Sequence, residues 1–248
     1  MKKPKVSRSV FPNTFTCLNV FSGFCSIVFA SQGEILYSCL AIAFAAIFDA
    51  LDGLVARLTK STSKFGVELD SLADVVSFGA APSFLIYSAF LSGYGIIGII
   101  ISSLQLVFGA LRLARFNVQL TGFDKSYFTG VPIPFAALTI AALTLNYPLH
   151  DFLRYNIEVT VIILSIALAL LMVSKVTFDT LPKFTLSDMK KKPASHIFSV
   201  AALIVLVISK GSFLFFILIT VLFLSILRQI FNRMFKPADK PVELKKEI

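Results

Sequence analysis

Residues 35–57 read ILYSCLAIAFAAIFDALDGLVAR, and residues 66–91 read GVELDSLADVVSFGAAPSFLIYSAFL. Each is an apolar run long enough to cross about 30 Å of hydrocarbon as a helix. Each also carries two aspartates at the end facing the polar break between them: Asp49 and Asp52 three apart, Asp70 and Asp74 four apart. On helices both spacings put the paired carboxylates on one face, so two neighbouring helices aim four carboxylates at one point. An aspartate at the centre of a membrane helix costs about 2.5–3.5 kcal/mol on insertion scales, so such residues face a cavity or a partner.

The rest of the chain has the composition of the same environment. Hydrophobic residues make up 56% of the 248 and charged residues 15%, with a mean hydropathy of +0.84, a balance foreign to soluble domains. The expected fold is an all-α integral membrane protein. Apolar runs near 13–31, 35–57, 70–91, 94–116, 132–148, 156–174, 195–209 and 211–231 predict about eight transmembrane helices. Basic residues test this count, because cytoplasmic ends and loops collect Lys and Arg. With the N-terminus inside, all of the 23 Lys and Arg except Arg154 and Lys210 fall on inner segments, so both termini are expected to be cytoplasmic. The net charge of +9 then reads as topology and affinity for anionic headgroups, not as a nucleic-acid footprint.

A basic start before an apolar run also resembles a secretory leader. The run is long enough to remain as a helix and more spans follow, so retention is expected. Cys17, Cys25 and Cys39 lie in or beside the first two spans, where a disulfide framework has no loops to staple, and read as reduced packing residues. His150 and His196 are too few and too far apart for a histidine metal site. No soluble domain is visible, and the tail after Phe235 is polar, Lys-rich and expected to be disordered.

Four convergent carboxylates call for cations that Arg57, Lys60 and Lys64 at the loop do not supply. Hard oxygen donors suit Mg²⁺, Mn²⁺ or Ca²⁺, and two dications balance four carboxylates. Two metals about 3.5–4 Å apart are a recurring arrangement for phosphoryl chemistry. Gly53 lies four residues after Asp49, Ala56 four after Asp52, and Gly66 four before Asp70, which strips bulk from the helix surface beside the acids and lets a ligand lie against the backbone. Each piece also has a plainer reading: small residues as helix-packing positions, Arg57 as a topology residue, and the acids as the ion site of a cation transporter. Their coincidence in register is what favours an enzyme site.

The pattern Asp49-x-x-Asp52-Gly53-x-x-Ala56-Arg57-x8-Gly66-x3-Asp70-x3-Asp74 resembles the signature of the CDP-alcohol phosphotransferase family at every position. The resemblance implies a membrane enzyme that moves a substituted phosphate from a CDP-linked donor to an alcohol and releases CMP. It implies two divalent cations, Mg²⁺ or Mn²⁺, with Asp49, Asp52, Asp70 and Asp74 as ligands. By the same resemblance Asp74 is the general base, and Asp52, Gly53, Ala56, Arg57 and Gly66 line the CDP-lipid site. The runs 65–82, 111–117 and 128–134, with Pro12-Asn13-Thr14-Phe15-Thr16, look like the phosphatidylserine synthase branch. That implies CDP-diacylglycerol as donor, L-serine as acceptor, membrane lipids and a second copy of the chain as partners, and a bacterial or archaeal cytoplasmic membrane with the site facing the cytoplasm. Glycerol 3-phosphate or inositol is the alternative acceptor. Leu54 is a mild departure, in a place where relatives often carry Arg. The resemblance covers roughly 10–185, suggesting a six-helix catalytic core over 1–185, two additional helices over 186–235 and a basic tail over 236–248.

Arg112 and Arg115 share a face at the cytoplasmic end of the fourth span. They either snorkel to headgroups or receive an anion, the acceptor carboxylate or a donor phosphate. Asn13, at the start of the first span, either contacts the nucleotide or caps the helix.

Overall fold

The computed structural model describes residues 10–59, 63–121, 130–174 and 211–235. The described residues are helical apart from short connecting turns, with no strand among them. The expected seventh span at 195–209 with His196, the inner connection 175–194 and the tail 236–248 lie outside the described residues.

Helix α1 (Val10–Ser31) and helix α2 (Ile35–Thr59) form an antiparallel hairpin. Gly33 closes the turn at φ +79°, donating its N–H to the Ala30 carbonyl while Glu34 N–H reaches Phe29. This is a helix C-cap whose left-handed residue is most readily glycine. Small buried residues, Ala30, Cys39, Ala41 and Ala45, let the two backbones approach, and the Ser26 and Ser38 hydroxyls bond across them at 2.9 Å. Close packing of small residues with interhelical hydrogen bonds is how helices associate where lipid removes the hydrophobic drive.

Helix α3 (Lys64–Asp74) begins six residues earlier than the expected third span. The reason is local: Ser63 caps it, its hydroxyl accepting the Gly66 N–H at 3.0 Å, so the polar turn before Asp70 is helical although too polar to read as membrane. Asp70 therefore sits inside a formed helix. After Asp74 the helix widens into a π-helical segment (Val75–Ala80), continues as α4 (Ala81–Ile86), and widens again over Tyr87–Leu91. A turn of 3₁₀ helix (Ser92–Tyr94) and Gly95 reverse the chain into α5 (Gly95–Thr121), which packs back along the π segment and α4. The third and fourth expected spans are thus one apolar stretch, Lys64–Val118, bent at that reversal.

Pro82 causes part of this irregularity, because its ring nitrogen cannot donate to the carbonyl four residues back, that of Phe78. α5 answers from the side. Gln105 Nε2 donates to that carbonyl at 3.5 Å, and the Ser83 hydroxyl accepts the Leu106 N–H at 3.1 Å.

Helix α6 (Ile133–Asn146) is buried almost all round, with Ile133, Ala137, Ile140 and Leu143 in the core. An all-apolar, short helix of this kind belongs at the centre of a bundle, and it packs against α2, α4, α5 and the π segment. Short helix α7 (Asp151–Tyr155), α8 (Ile157–Val173) and α9 (Leu214–Phe235) complete the described fold. α9 docks on α6, and His150 Nε2 meets the Ser212 carbonyl at 2.9 Å between Phe213 and Phe216. Phe21, Phe44, Ile96, Ile100, Ile163 and Phe223 lie exposed on the outside, as expected of a surface solvated by lipid. Three stretches, Pro12–Ser31, Ile35–Thr59 and Lys64–Val118, are long and apolar enough to cross a membrane, and 133–149, 157–173 and 214–229 are shorter apolar helices. All three cysteines are free. Only Cys39 is buried and Cys17 is exposed, so Cys17 is not the internal packing residue expected of it.

Candidate active site

The cytoplasmic-side ends expected for α2 and α3 do converge in space. One carboxylate oxygen from each of Asp49, Asp70 and Asp74 lies within 4.8 Å of the other two. Asp52 stands beside this group, close enough to Asp70 for the two carboxylates to repel. It is 7% exposed, and its Oδ2 accepts the Thr16 hydroxyl at 3.0 Å. Asp74 is 8% exposed, at the junction where α3 widens into the π segment. π-helical insertions are costly in backbone geometry and occur often at functional sites. This one turns the chain immediately after its last carboxylate.

The residues fit divalent cations. The donors are all carboxylate oxygens, the chemistry that hard dications prefer, and Asp70 Oδ1 is buried with no hydrogen-bond donor among the described residues. A buried acceptor left bare costs about 1–3 kcal/mol, and a cation bound there removes that penalty.

Helix α1 supplies a side of the site of which the sequence reading included only Asn13. Asn13, Thr16 and Asn19 recur every three residues on one face. Thr16 holds Asp52, and Asn19 Nδ2 donates to Asp74 Oδ1 at 3.4 Å. Asn13 lies inside α1, not at its cap, and its Oδ1 is 3.4 Å from where a β-carbon on Gly66 would stand. The helix is held there by a backbone approach: a β-carbon on Gly23 would lie 2.6 Å from Ser77 Cα, within the π segment. Two asparagines and a threonine at threefold spacing, in a helix whose other polar residues are hydroxyl side chains, were the available signal.

The small residues divide by their surroundings. A β-carbon on Gly53 meets nothing within 4 Å, so the α2 backbone is open there, beside the carboxylates. Half-buried Ala56 continues this surface. Arg57 is exposed and folds back on its own helix, Nε donating to the Gly53 carbonyl at 2.9 Å, which sets its guanidinium beside the notch.

The two arginines of α5 have different surroundings. Arg112 is half-buried, its charge facing Asp74, and its Nε is buried with no acceptor among the described residues. Arg115 is exposed and donates Nη1 to the Val173 carbonyl at 3.4 Å, at the C-terminus of α8. A cation there meets the negative end of the helix dipole. Val131 N–H bonds the neighbouring Leu171 carbonyl, and Gly130, at φ +93°, passes so close to the Met172 carbonyl that no side chain fits. Between α5 and α3, Asn117 Nδ2 donates to the Ser71 hydroxyl at 3.0 Å, next to Asp70.

An all-helical membrane scaffold with an acidic cluster, an open glycine notch and flanking arginines has a known counterpart. The sequence model of the CDP-alcohol phosphatidyltransferase family matches residues 9–173, and the chain belongs to that family. It is thus a transferase of phospholipid biosynthesis. Among its relatives is a protein of Helicobacter pylori named CDP-diacylglycerol–serine O-phosphatidyltransferase, 42% identical over 174 residues, which are 70% of this chain and 73% of that protein. An archaetidylserine synthase of Methanothermobacter thermautotrophicus is 40% identical over 169 residues, 67% of this chain and 68% of its own. A CDP-diacylglycerol–serine O-phosphatidyltransferase of Methanocaldococcus jannaschii is 39% identical over 167 residues, 67% and 72% of the two chains.

Proposed function

We propose that this chain transfers the phosphatidyl group of CDP-diacylglycerol to the hydroxyl of L-serine, giving phosphatidylserine and CMP. The observation that carries the reading is the convergence of Asp49, Asp70 and Asp74 beside Asp52 and the open Gly53 notch. The serine acceptor is supported by the names of the relatives.

Asp49, Asp52, Asp70 and Asp74 would hold two divalent cations, Mg²⁺ or Mn²⁺, and the chemistry these would supply is neutralisation of pyrophosphate charge. The chain's own residues do the rest. The cytidine diphosphate lies along α2 at Gly53 and Ala56 and against Gly66, with Asn13 and Arg57 at its edges. Close approach to bare backbone needs residues without bulk, and a guanidinium matches phosphate with paired N–H donors. The serine oxygen forms a bond to the phosphatidyl phosphorus, the bond from that phosphorus to the bridging oxygen breaks, and CMP leaves with the electron pair. Asp74 accepts the serine proton, which raises the nucleophilicity of an otherwise weak alcohol. Arg112, from the α5 side, receives the serine carboxylate. Arg115 serves the α5–α8 junction.

The catalytic core is residues 1–185, with two further helices over 186–235 and a basic tail over 236–248. Eight spans put both termini and the site on the cytoplasmic side of a bacterial or archaeal membrane, and the chain works as a homodimer. The test is release of CMP from labelled CDP-diacylglycerol by the purified protein in mixed micelles, with Mg²⁺ or Mn²⁺ and a panel of serine, glycerol 3-phosphate and inositol. Serine-dependent release is expected, with phosphatidylserine as the lipid product. Release with another acceptor and not serine would replace the acceptor.

A further inference from the structure

Asn19 has no exposed surface, yet it sits on an apolar helix where a leucine would pack as well. Its Nδ2 donates to Asp74 Oδ1, and its own Oδ1 finds no donor among the described residues. A buried carboxamide is costly unless it bonds, and the bond to Asp74 is its one polar contact given by the structure. The separation of the two groups is set nearby. Gly23, four residues after Asn19, touches the backbone of Ser77, three residues after Asp74, so α1 and the π segment meet backbone to backbone one turn from the Asn19–Asp74 pair. A carboxylate without a fixed neighbour presents either oxygen by rotation, and a donor on Oδ1 ends that equivalence. Arg112 lies on α5 near enough for its charge to act on Asp74, and Asn19 gives the one hydrogen bond to that carboxylate among the described residues.

Building on the reading of Asp74 as proton acceptor, we propose that Asn19 is a positioning residue for Asp74: it holds Oδ1 so that the other oxygen is presented to the acceptor hydroxyl. The 3.4 Å separation is long for such a bond, and bonds of this kind tighten when substrate arrives. Positioning of this sort lowers turnover and leaves substrate affinity alone, because it acts on the orientation of the reacting group.

The experiment uses the full chain in micelles, with Asn19→Leu and Asn19→Val, both without the N–H donor and both without a new charge beside the carboxylates. Four quantities are measured: kcat, KM for the acceptor, equilibrium binding of labelled CDP-diacylglycerol, and the thermal midpoint. Both variants are expected to lose about 10- to 100-fold in kcat with acceptor KM and donor affinity within about twofold of wild type. On the residual rate of Asp74→Asn, adding Asn19→Leu is expected to cost nothing further, because a residue that acts through Asp74 has nothing left to act on. Wild-type kcat in Asn19→Leu, a loss confined to donor affinity, or losses that multiply with Asp74→Asn would each overturn the proposal. Failure of both variants to fold would assign Asn19 to packing and overturn it too. A wild type that releases no CMP with any alcohol overturns the functional reading itself, a result seen before any variant is made.

Discussion

Gln105 on α5 donates its Nε2 to the Phe78 carbonyl at 3.5 Å, at the place where Pro82 withholds the N–H that an α-helix would supply. One helix thereby completes the backbone of another, four residues beyond the carboxylate at Asp74. In lipid no water is at hand to do this. Gln105→Leu is expected to lower stability by about 1–3 kcal/mol, the cost of leaving a buried acceptor unmet. Thermal unfolding in micelles measures it, and an unchanged midpoint would mean that the carbonyl is served from elsewhere.

Gly23 and Gly53 separate packing from function. A β-carbon on Gly23 would meet Ser77 backbone at 2.6 Å, whereas one on Gly53 meets nothing. Gly23→Ala should therefore cost about 1–3 kcal/mol of stability, as overpacking does, and lower turnover by displacing α1. Gly53→Ala should keep the thermal midpoint and weaken binding of CDP-diacylglycerol. A Gly53→Ala protein with wild-type donor affinity would remove this glycine from the site.

Among the carboxylates, Asp74→Asn should lower turnover about 10²- to 10⁴-fold, the usual contribution of a general base, while largely sparing CDP-lipid binding. Asp49→Asn should weaken both metal and donor binding. Chelation by EDTA should abolish turnover, and Mg²⁺ or Mn²⁺ should restore it. Near-normal turnover in Asp74→Asn would transfer the base role to another group.

The two arginines should part company in kinetics. Arg112→Ala is expected to raise the serine KM about tenfold or more, the loss of a charged hydrogen-bond partner, with donor affinity retained. Arg115→Ala is expected to leave KM unchanged and lower the thermal midpoint, since its contact is the α8 terminus. A wild-type serine KM in both variants would leave the carboxylate without an arginine partner in this structure.

How far each part was legible from sequence depends on how local its cause is. The Asp49/Asp52 and Asp70/Asp74 pairs are readable because helix periodicity alone puts each pair on one face, and the short polar break keeps the two helices adjacent. The start of α3 at Lys64 depends on Ser63 as a cap, a local signal hidden by hydropathy, which sees only polar residues there. Thr16 and Asn19 could not be assigned without knowing which face of α1 meets the π segment, and that depends on Gly23 lying over Ser77. The π segments have no periodicity signal, since they follow from Pro82 and its neighbours on α5. Arg112 and Arg115 are equivalent by spacing and differ only through what α3 and α8 bring to them.

The threefold polar stripe of α1 also bears on the order in which the molecule is built. Asn13, Thr16 and Asn19 leave the ribosome more than fifty residues ahead of Asp74, the partner of Asn19. Until α2 brings Asp52 and α3 brings Asp74, the Thr16 hydroxyl and the Asn19 amide have no carboxylate to bond, in surroundings that penalise them. Newly made α1 is therefore a helix waiting for α2 and α3, which bring the carboxylate partners of Thr16 and Asn19 in turn. Assembly of the membrane bundle and assembly of its reaction centre are one event.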